Sequence, residues 1–536
     1  MPVIDSQVDG QGEFFATNRA AMQGLLDQIE AIRRIGLDKA VSEKPKFDKR
    51  GQLLPQERVQ RLLDPGSSFI ELMSLAGYQM DDDRDGTEAG GGIIAGIGYV
   101  NGVRCLVSAS NSAIKGGTIS PAGLRKTLRL QQISLENKLP LIMLTESGGA
   151  NLNHAADVFV EGARAFANQA RLSAAGIPQI SVVHGNATAG GAYQPGLSDY
   201  VVVVRNRAKL FLAGPPLLLA ATGEVASDEE LGGAEMHAAL AGTAEYLAED
   251  DADAIRHVRN IVAQLGWQVE RVPHLSFREP IYDPSELIGI VPADAKRPYD
   301  VRDVIARLVD GSDFLDFKQE FDSQTVCGWA AIGGHRIGII GNNGPITPQG
   351  AAKAAQFIQL CEQTGRALLF LHNTTGFMVG KEAEQGGIIK HGSKMLQAVA
   401  NAQVPKLSLV IGGSYGAGNY AMCGRGLDPR FIFAWPNNRT AVMGGAQAGK
   451  VLRIVAEQKQ RKLGIEPDPT NLDALEHMTA QGLDAQSTAL YGTARLWDDG
   501  LIDPRDSRTL LLFLLDVIDE AAQRVLRPNH FGVARF

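Results

Sequence analysis

The sequence predicts an α/β protein of two homologous domains, the product of an internal duplication, and three observations carry that expectation. Short apolar runs bounded by turn formers alternate with helix-compatible stretches, which implies parallel sheets with right-handed crossovers. The order of these elements then recurs at a spacing of about 230 residues, too long for a solenoid repeat. Glycine-rich turns follow the apolar runs at TESGGANL (Thr145–Leu152), GNATAGGAYQ (Gly185–Gln194) and LVIGGSYGAGNYAMCGR (Leu409–Arg425).

Composition narrows the function classes. The chain has 536 residues, 44% hydrophobic and 21% charged, with 60 glycines and a net charge of −8. These are the proportions of a soluble globular protein with room for several domains. No basic run or aromatic-interleaved basic stripe occurs, which argues against nucleic acid. No apolar run reaches the roughly 18 residues of a membrane span. The start, MPVIDSQVDGQGEFF, fits neither a secretory signal nor a transit peptide, so a cytoplasmic location is expected. Cys105, Cys327, Cys361 and Cys423 are scattered without a CxxC pair, which suits reduced thiols and excludes a zinc ribbon.

In chain order, residues 17–44 read as one amphipathic helix with Met22, Leu25, Leu26, Ile29 and Ile32 on one face, stopped by Pro45. A polar link follows to Leu53, then a short helix at Pro55–Leu63. Asp81–Asp85 reads as a solvated acidic loop, since no convergent ligand pattern accompanies it. The first strands are GGIIAGIGYVNG and VRCLVSASN. Helix Pro121–Asn137, strand Pro140–Thr145, helix Val158–Ala174, strand Pro178–His184 and strand Tyr200–Val204 come next, and the half closes on FLAGPPLLLAATGE. ERVQRLLDPGSSFIEL is then echoed by VRDVIARLVDGSDFLDF, ENKLPLIMLTESGG by EQTGRALLFLHNTTG, and GIPQISVVHGNATAGGAY by QVPKLSLVIGGSYGAGNY. The seam falls in the Pro- and Asp-rich Glu279–Arg297, giving domains 1–280 and 281–536.

A glycine-packed strand-to-helix turn lets backbone N–H groups approach a ligand, and the helix start behind it favours negative charge. None of the three turns holds an evident nucleophile–base pair. Their chemistry is therefore expected from backbone dipoles. Lys115, in AIKGGT, is placed to meet a phosphate as a point charge; Arg125 and Lys126 are weaker candidates, and simple solvation is the alternative for all three. Tyr193 and Tyr420 follow glycine turns and either wall a pocket or pack. His184 and His372 end strands and read as core or rim histidines. Cys423 follows a helix start and reads as a buried thiol.

The motifs SGGANL, ATAGGAY, LAGPPLLLAATGE, EELGGAEMH, TTGFMVG, GGSYGAGNYAMCGR, FAWPNNRTAVMGG and TARLWDDGLIDP, in this order, resemble the carboxyltransferase (β) subunits of biotin-dependent acyl-CoA carboxylases. The branch most similar acts on methylcrotonyl-CoA and geranyl-CoA, and the likeness runs from LLPQERVQRLLDPGS to the tail. It implies two crotonase-like domains, and transfer of a carboxyl group from carboxybiotin to an acyl-CoA carbon. It also implies an acyl-CoA oxyanion hole from the Gly148 and Gly149 N–H groups, and a biotin-side hole from Ala417 and Gly418. Lys115, Ala150, Gly162, Gly190, Gly191 and Tyr193 would line the acyl-CoA site. Thr375, Gly376, Phe377, Gly416 and Tyr420 would line the biotin site. No AMKM-like biotinylation motif and no ATP-grasp loop occurs, so the resemblance assigns biotin and the ATP-dependent step to a partner α subunit. A homo-hexameric core within a six-plus-six complex is the family expectation, with each active site shared between subunits.

One departure bears on the substrate. Methylcrotonyl-type members carry a bulky Phe in HFGRIFYNQAR, and counting back from the shared Asn168–Arg171 places Gly162 there, in EGARAFANQAR. NLNHAAD (Asn151–Asp157) likewise departs from an FLPRQDE-like loop. Both changes open space for a longer acyl chain, so geranyl-CoA is expected over methylcrotonyl-CoA; the alternative is that Gly162 only repacks. Three other readings compete. A lone crotonase-type hydratase or thioesterase usually needs paired glutamates, and Glu146 has no evident second carboxylate. A scaffold without activity would have no need of intact glycines in all three turns. A carboxyl-CoA decarboxylase shares the fold.

Overall fold

Each half of the chain folds around one mixed sheet, and the two sheets have the same strand order apart from one further edge strand, β8, in the first. The computed structural model describes residues 1–269, 277–293 and 297–534; part of the expected seam, residues 294–296, lies outside these. The first sheet holds β1 (Ile70–Glu71), β2 (Ile93–Val100), β3 (Val103–Ser110), β4 (Leu141–Ser147), β5 (Gln179–Thr188), β6 (Tyr200–Val204), β7 (Lys209–Phe211) and β8 (Tyr246–Ala248). Its order is β1-β2-β3-β4-β5-β6-β8, with β7 on β5. The second holds β9 (Leu315–Asp316), β10 (Thr325–Ile332), β11 (His335–Asn342), β12 (Ala367–Thr374), β13 (Lys406–Tyr415), β14 (Phe431–Ala434) and β15 (Arg439–Ala441). Here the order is β9-β10-β11-β12-β13-β14, with β15 on β13. In both, the first two pairings are antiparallel and the rest parallel.

The strand sequences explain this arrangement. A parallel strand covered on both faces must be apolar throughout rather than alternating. β4, β6 and β12 are such runs: Ile142, Leu144, Val202, Leu368 and Phe370 are all buried. Helices cover them, as Val258 and Val262 of Asp251–Gln264 do in the first half, and Phe357 of Pro348–Thr364 in the second. Full burial of each such side chain contributes about 1.5–3 kcal/mol.

The likeness of the two halves extends to an ion pair that is buried in the second half and half-buried in the first. Asp64 accepts from the Asn101 and Gly102 N–H groups at 2.8 and 2.7 Å, and Asp310 from those of Gly333 and Gly334, both at 2.7 Å. Each aspartate also meets an arginine from a later helix, Arg259 or Arg508, at 2.8 Å. Those arginines donate in turn to Leu62 O and Leu308 O. One hairpin, one carboxylate and one guanidinium thus recur in both halves.

The first helix corrects the sequence expectation. It runs Glu13–Ser42, and Pro45 does not stop it; the proline sits in the first turn of a second helix, Lys44–Lys49. Proline is tolerated there because that N–H has no intrahelical acceptor. The polar link expected at 45–53 is accordingly half helical.

The chain forms two compact units whose composition is not linear. The unit carrying the second sheet includes Met1–Ile29 and extends to Leu515, apart from Ala494–Leu496; the unit carrying the first sheet takes in those three residues and the segment from Asp516. The linear division at 280/281 thus leaves out an exchange of chain ends. Among the described residues no helix is long and apolar enough to cross a membrane.

Two consequences can be measured. Asp310→Ala leaves the Arg508 guanidinium, 6% exposed, without its buried carboxylate, at an expected cost of about 3–5 kcal/mol. Asp64, itself 22% exposed with an Arg259 that is 29% exposed, should cost less on the same change, and denaturant unfolding of the two variants compares them. The second concerns Asp498, buried beside Asp499, which accepts from Thr493 Oγ1 at 2.7 Å and Gly500 N at 3.0 Å. Burial, with Asp499 alongside, pushes its carboxyl up to about 7. The folded chain therefore holds a proton that the unfolded chain has already lost, and this group's contribution to stability falls as pH rises through that window. Asp498→Asn should raise the thermal midpoint more at pH 8 than at pH 5.

Candidate active site

Strand ends place the glycine turns, and each half has two of them side by side. In the first half β4 ends at Ser147, whose hydroxyl accepts from Gly149 N at 3.1 Å, and Gly149 takes φ +87°. Neighbouring β5 runs to Ala189, in the left-handed region at φ +51°, and the helix Gly190–Gly196 starts there. A Cβ on Gly191 would stand 3.1 Å from Ser147 Oγ, which measures how closely the two turns approach. In the second half β12 ends at Thr374, whose hydroxyl accepts from Gly376 N at 3.2 Å. β13 leads through Gly416, at φ +54°, into the helix Gly416–Ala421. A Cβ on Gly418 would stand 2.8 Å from Gly376 Cα. Gly149 is therefore the counterpart of Gly376, and Gly190–Gly191 of Ala417–Gly418.

This corrects the count of turns. Three are evident in sequence; the fourth, at Thr375–Phe377, reads there only as a pocket-lining loop, because it carries a single glycine. The leading N–H groups of a helix have no intrahelical acceptor, although in the first of these short helices Ala192 N already bonds Ala189 O at 3.1 Å. Both helix starts stand next to the turn that ends the adjacent strand, whose Gly149 and Gly376 N–H groups are engaged by Ser147 and Thr374.

Both halves also break register at the same point. The pairing of β4 with β5 shifts between Thr145 and Ser147, and that of β12 with β13 between His372 and Thr374. The extra residues of each bulge lie on β5 and β13, so Glu146 alone stands opposite residues 184–186 in one half and Asn373 alone opposite residues 411–413 in the other. Glu146 accepts from Arg58 Nη1 at 2.8 Å and from Ser112 Oγ at 2.9 Å. Arg58 Nε also reaches Asp251 at 3.0 Å, and His184 Nδ1 lies 2.9 Å from the same carboxylate. Burial works against the charge on Glu146, but Arg58 and Ser112 outweigh it and hold the carboxyl below its usual range. Burial and Arg58 together depress His184, which is neutral at pH 7.

Arg58 and Asp251 were missed in the sequence, as was the second carboxylate near Glu146. The available signal was Arg58 among the buried positions of its helix, beside Pro55, Val59 and Leu62. A charge at an apolar position of an amphipathic helix implies a buried partner.

The remaining candidates distribute as follows. Ala150 pairs with Ile119 in an isolated bridge, and Phe377 with Ile346 at the equivalent place. Lys115 is already engaged, at 2.5 Å from Glu88 and 3.7 Å from Asp82. Asp82 also accepts from Asn151 Nδ2 at 3.2 Å, so the acidic loop is tied to the Asn151 segment rather than merely solvated. Gly162 faces open space, with nothing within 4 Å of an added Cβ. One turn further along the same helix is Phe166, whose ring lies 5.6 Å from that of Tyr193 and whose Cζ would be 3.8 Å from a Cβ on Gly190. Thr375 lines a cavity of about 1040 Å³ with Asn373, Gly412 and Tyr415. Gly416 and Tyr420 line another, of about 270 Å³, with Val442, Trp497 and Asp498. His372 bonds Ser414 Oγ at 2.9 Å, and burial depresses it to about 3. Cys423 is buried and its thiol is pushed up to about 12 by burial.

Comparison with known proteins bears directly on this arrangement. Residues 46–531 match the carboxyl transferase domain family. The probable biotin-dependent acyl-coenzyme A carboxylase beta2 subunit of Mycobacterium tuberculosis is 48% identical over 539 residues, covering 99% of this chain and 100% of that one. The mitochondrial methylcrotonoyl-CoA carboxylase beta chain of Dictyostelium discoideum is 45% identical, over 99% and 91% of the two chains. The crystal structure of the geranyl-CoA carboxylase beta subunit of P. aeruginosa superposes with a TM-score of 0.94 at 69% identity, covering 100% of both chains. The chain belongs to the carboxyl transferase domain family, as a carboxyltransferase β subunit of a biotin-dependent acyl-CoA carboxylase.

Proposed function

We propose that this subunit carboxylates geranyl-CoA, or a branched enoyl-CoA of that length, at the vinylogous γ-carbon. The observation that carries the reading is the open space at Gly162, on the helix that follows the Gly148–Gly149 turn. The 69% identity to a geranyl-CoA carboxylase β subunit supports it.

In this reading both halves are crotonase-like, with 1–280 supplying most of the acyl-CoA side and 281–536 the carboxybiotin side. Removing a proton from the enoyl thioester places negative charge on the thioester oxygen, which needs donors about 2.7–3.1 Å away. Gly148 and Gly149, with Gly190 and Gly191 alongside, are the donors proposed for it, and the Gly149 N–H would serve only by leaving Ser147 Oγ. Carboxybiotin, carried by a partner α subunit, supplies the carboxyl group and, once that is released, a ureido nitrogen able to take the substrate proton. Ala417 and Gly418 would hold the ureido oxygen at the start of the Gly416–Ala421 helix. Gly376, Thr375, Phe377 and Tyr420 would flank it. The uncapped first-turn N–H groups fit such an oxygen. A lone hydratase or thioesterase reading loses its base, since the Glu146 oxygens are taken by Arg58 and Ser112.

Ala150 and Tyr193 would border the acyl chain. Lys115 would meet CoA phosphate only by leaving Glu88. A homo-oligomeric core in the cytoplasm completes the proposal. Its support is the helix Pro215–Thr222, PPLLLAAT, in which no residue is buried. An apolar helix left uncovered marks an interface.

The test is bicarbonate fixation by this subunit with its biotinylated partner, on geranyl-CoA and methylcrotonyl-CoA in parallel, for wild type and Gly162→Phe. Geranyl-CoA should be carboxylated by the wild type. The Phe variant should lose it by at least about tenfold in kcat/KM, as expected for filling an apolar pocket, with methylcrotonyl-CoA much less affected. Fixation on methylcrotonyl-CoA alone would overturn the substrate assignment. Fixation on neither would favour a decarboxylase or another acyl-CoA.

A further inference from the structure

The residue opposite each bulge, just before the strand-ending turn, is treated differently in the two halves. In the second half Asn373 borders the cavity of about 1040 Å³. Counting through the repeat, Val304 stands where the first half has Arg58. In the first half the same location is filled by charge. Glu146 is gripped by Arg58, and Arg58 is held from behind by Asp251, with side-chain exposures of 10%, 1% and 2%. Gln52 Nε2 reaches Glu146 Oε1 at 3.4 Å and His184 O at 2.9 Å.

This cluster joins pieces of chain that are far apart in sequence. Arg58 comes from the helix Pro55–Leu62, Asp251 from the first turn of Asp251–Gln264, and Glu146 from β4, two residues before Gly148. Ser112 belongs to the segment that leads into Lys115 and Gly117. That segment lies against the Glu146 main chain so closely that a Cβ on Gly117 would fall 2.0 Å from Glu146 O. A buried ion pair of this kind is weak evidence for stability, because desolvation offsets most of the attraction. What it does supply is a unique geometry.

We propose that Glu146 is a positioning residue for the acyl-CoA turn. Its carboxylate, clamped by Arg58 and Ser112, holds the Gly148–Gly149 peptide and the Lys115 loop in one fixed relation. The proposal rests on the assignment of that turn to the acyl-CoA. Oxyanion donors must be placed to within a fraction of an ångström, and a displacement of about 1 Å costs on the order of 100-fold in rate. The side chain touches no substrate atom in this scheme; it acts through the backbone of its own strand.

The experiment is steady-state carboxylation by the holoenzyme, subunit plus biotinylated partner, with geranyl-CoA and then methylcrotonyl-CoA. The variants are Glu146→Gln, Arg58→Met, Arg58→Lys and the double Arg58→Met/Glu146→Gln. Glu146→Gln keeps the shape and an acceptor oxygen but loses the charge. It should lower kcat by about 10- to 100-fold with KM for the acyl-CoA within about threefold and the thermal midpoint nearly unchanged. Arg58→Lys should recover part of what Arg58→Met loses. The double variant should be no slower than the slower single one, since both changes break one device.

Wild-type kcat in Glu146→Gln overturns the proposal, as does a loss confined to KM or one that tracks a fall in thermal midpoint. Should Glu146→Gln fail to assemble, Ser112→Ala, which removes one hydroxyl, carries the test. It should show a smaller kcat loss at unchanged KM, and no loss overturns the proposal. A wild type inactive on both substrates refutes the proposed substrate; an active wild type matched by Glu146→Gln refutes the positioning role alone.

Discussion

The close approach of two strand-ending turns is the constraint on which the rest of each half depends. Gly418 lies over Gly376 with no room for a Cβ between them, and Gly191 lies nearly as close to Ser147. Such an approach requires adjacent parallel strands that end together, a bulge that shifts their register, and a helix that starts at once. Every backbone N–H turned toward the space between the turns is thereby lost to the sheet and to the helix. The sheet, its apolar strands and the covering helices form a rigid mount for those few dipoles. Catalysis by backbone needs such a mount, because a peptide N–H cannot be re-aimed by a rotamer.

Duplication gave each half this mount, and divergence changed what lies behind it. The hairpin aspartates Asp64 and Asp310 retain the same partners in both halves, so the framework tolerated little change. The residue opposite the bulge was free to differ. A carboxylate locked by two positively polarised neighbours makes one turn stiff, whereas an amide beside a cavity leaves the other with more space around it. In a transfer reaction of two partial steps, the proposed roles match that contrast. The acyl-CoA turn must polarise one carbonyl accurately, and the carrier-side turn must admit a tethered group repeatedly.

Much of this was legible in the sequence, for identifiable reasons. Apolar runs such as Leu141–Leu144 and Tyr200–Val204 have one reading only, because a strand buried on both faces tolerates no polar alternation. Clustered glycines marked the turns at Gly148, Gly190 and Gly416, since close backbone approach needs several at once. The turn at Gly376 was harder to see: Thr374 supplies the bracing hydroxyl, and threonine next to a single glycine is unremarkable in a sequence. Helix ends were misjudged where proline serves as a starter instead of a stopper, as at Pro45. The Arg58–Glu146–Asp251 cluster escaped because its members are far apart in the chain and each has a common surface role elsewhere. Lys115 shows the opposite case: its place beside a glycine turn was legible, but its pairing with Glu88 and Asp82 of the same half was not.

The exchange of chain ends has a consequence for biosynthesis. A ribosome delivers the first sheet complete by Ala248, yet the segment that finishes its unit begins at Asp516. Met1–Ile29 belong with a sheet whose strands emerge only from Leu315 onward. Neither unit can close before its later segment is made, so the nascent protein carries two unfinished cores for much of its synthesis. The unit of the second sheet waits for residues up to Leu515, and that of the first sheet for those from Asp516. A product cut before Asp516 would leave the unit of the first sheet open, its strands already made, for quality control to recognise.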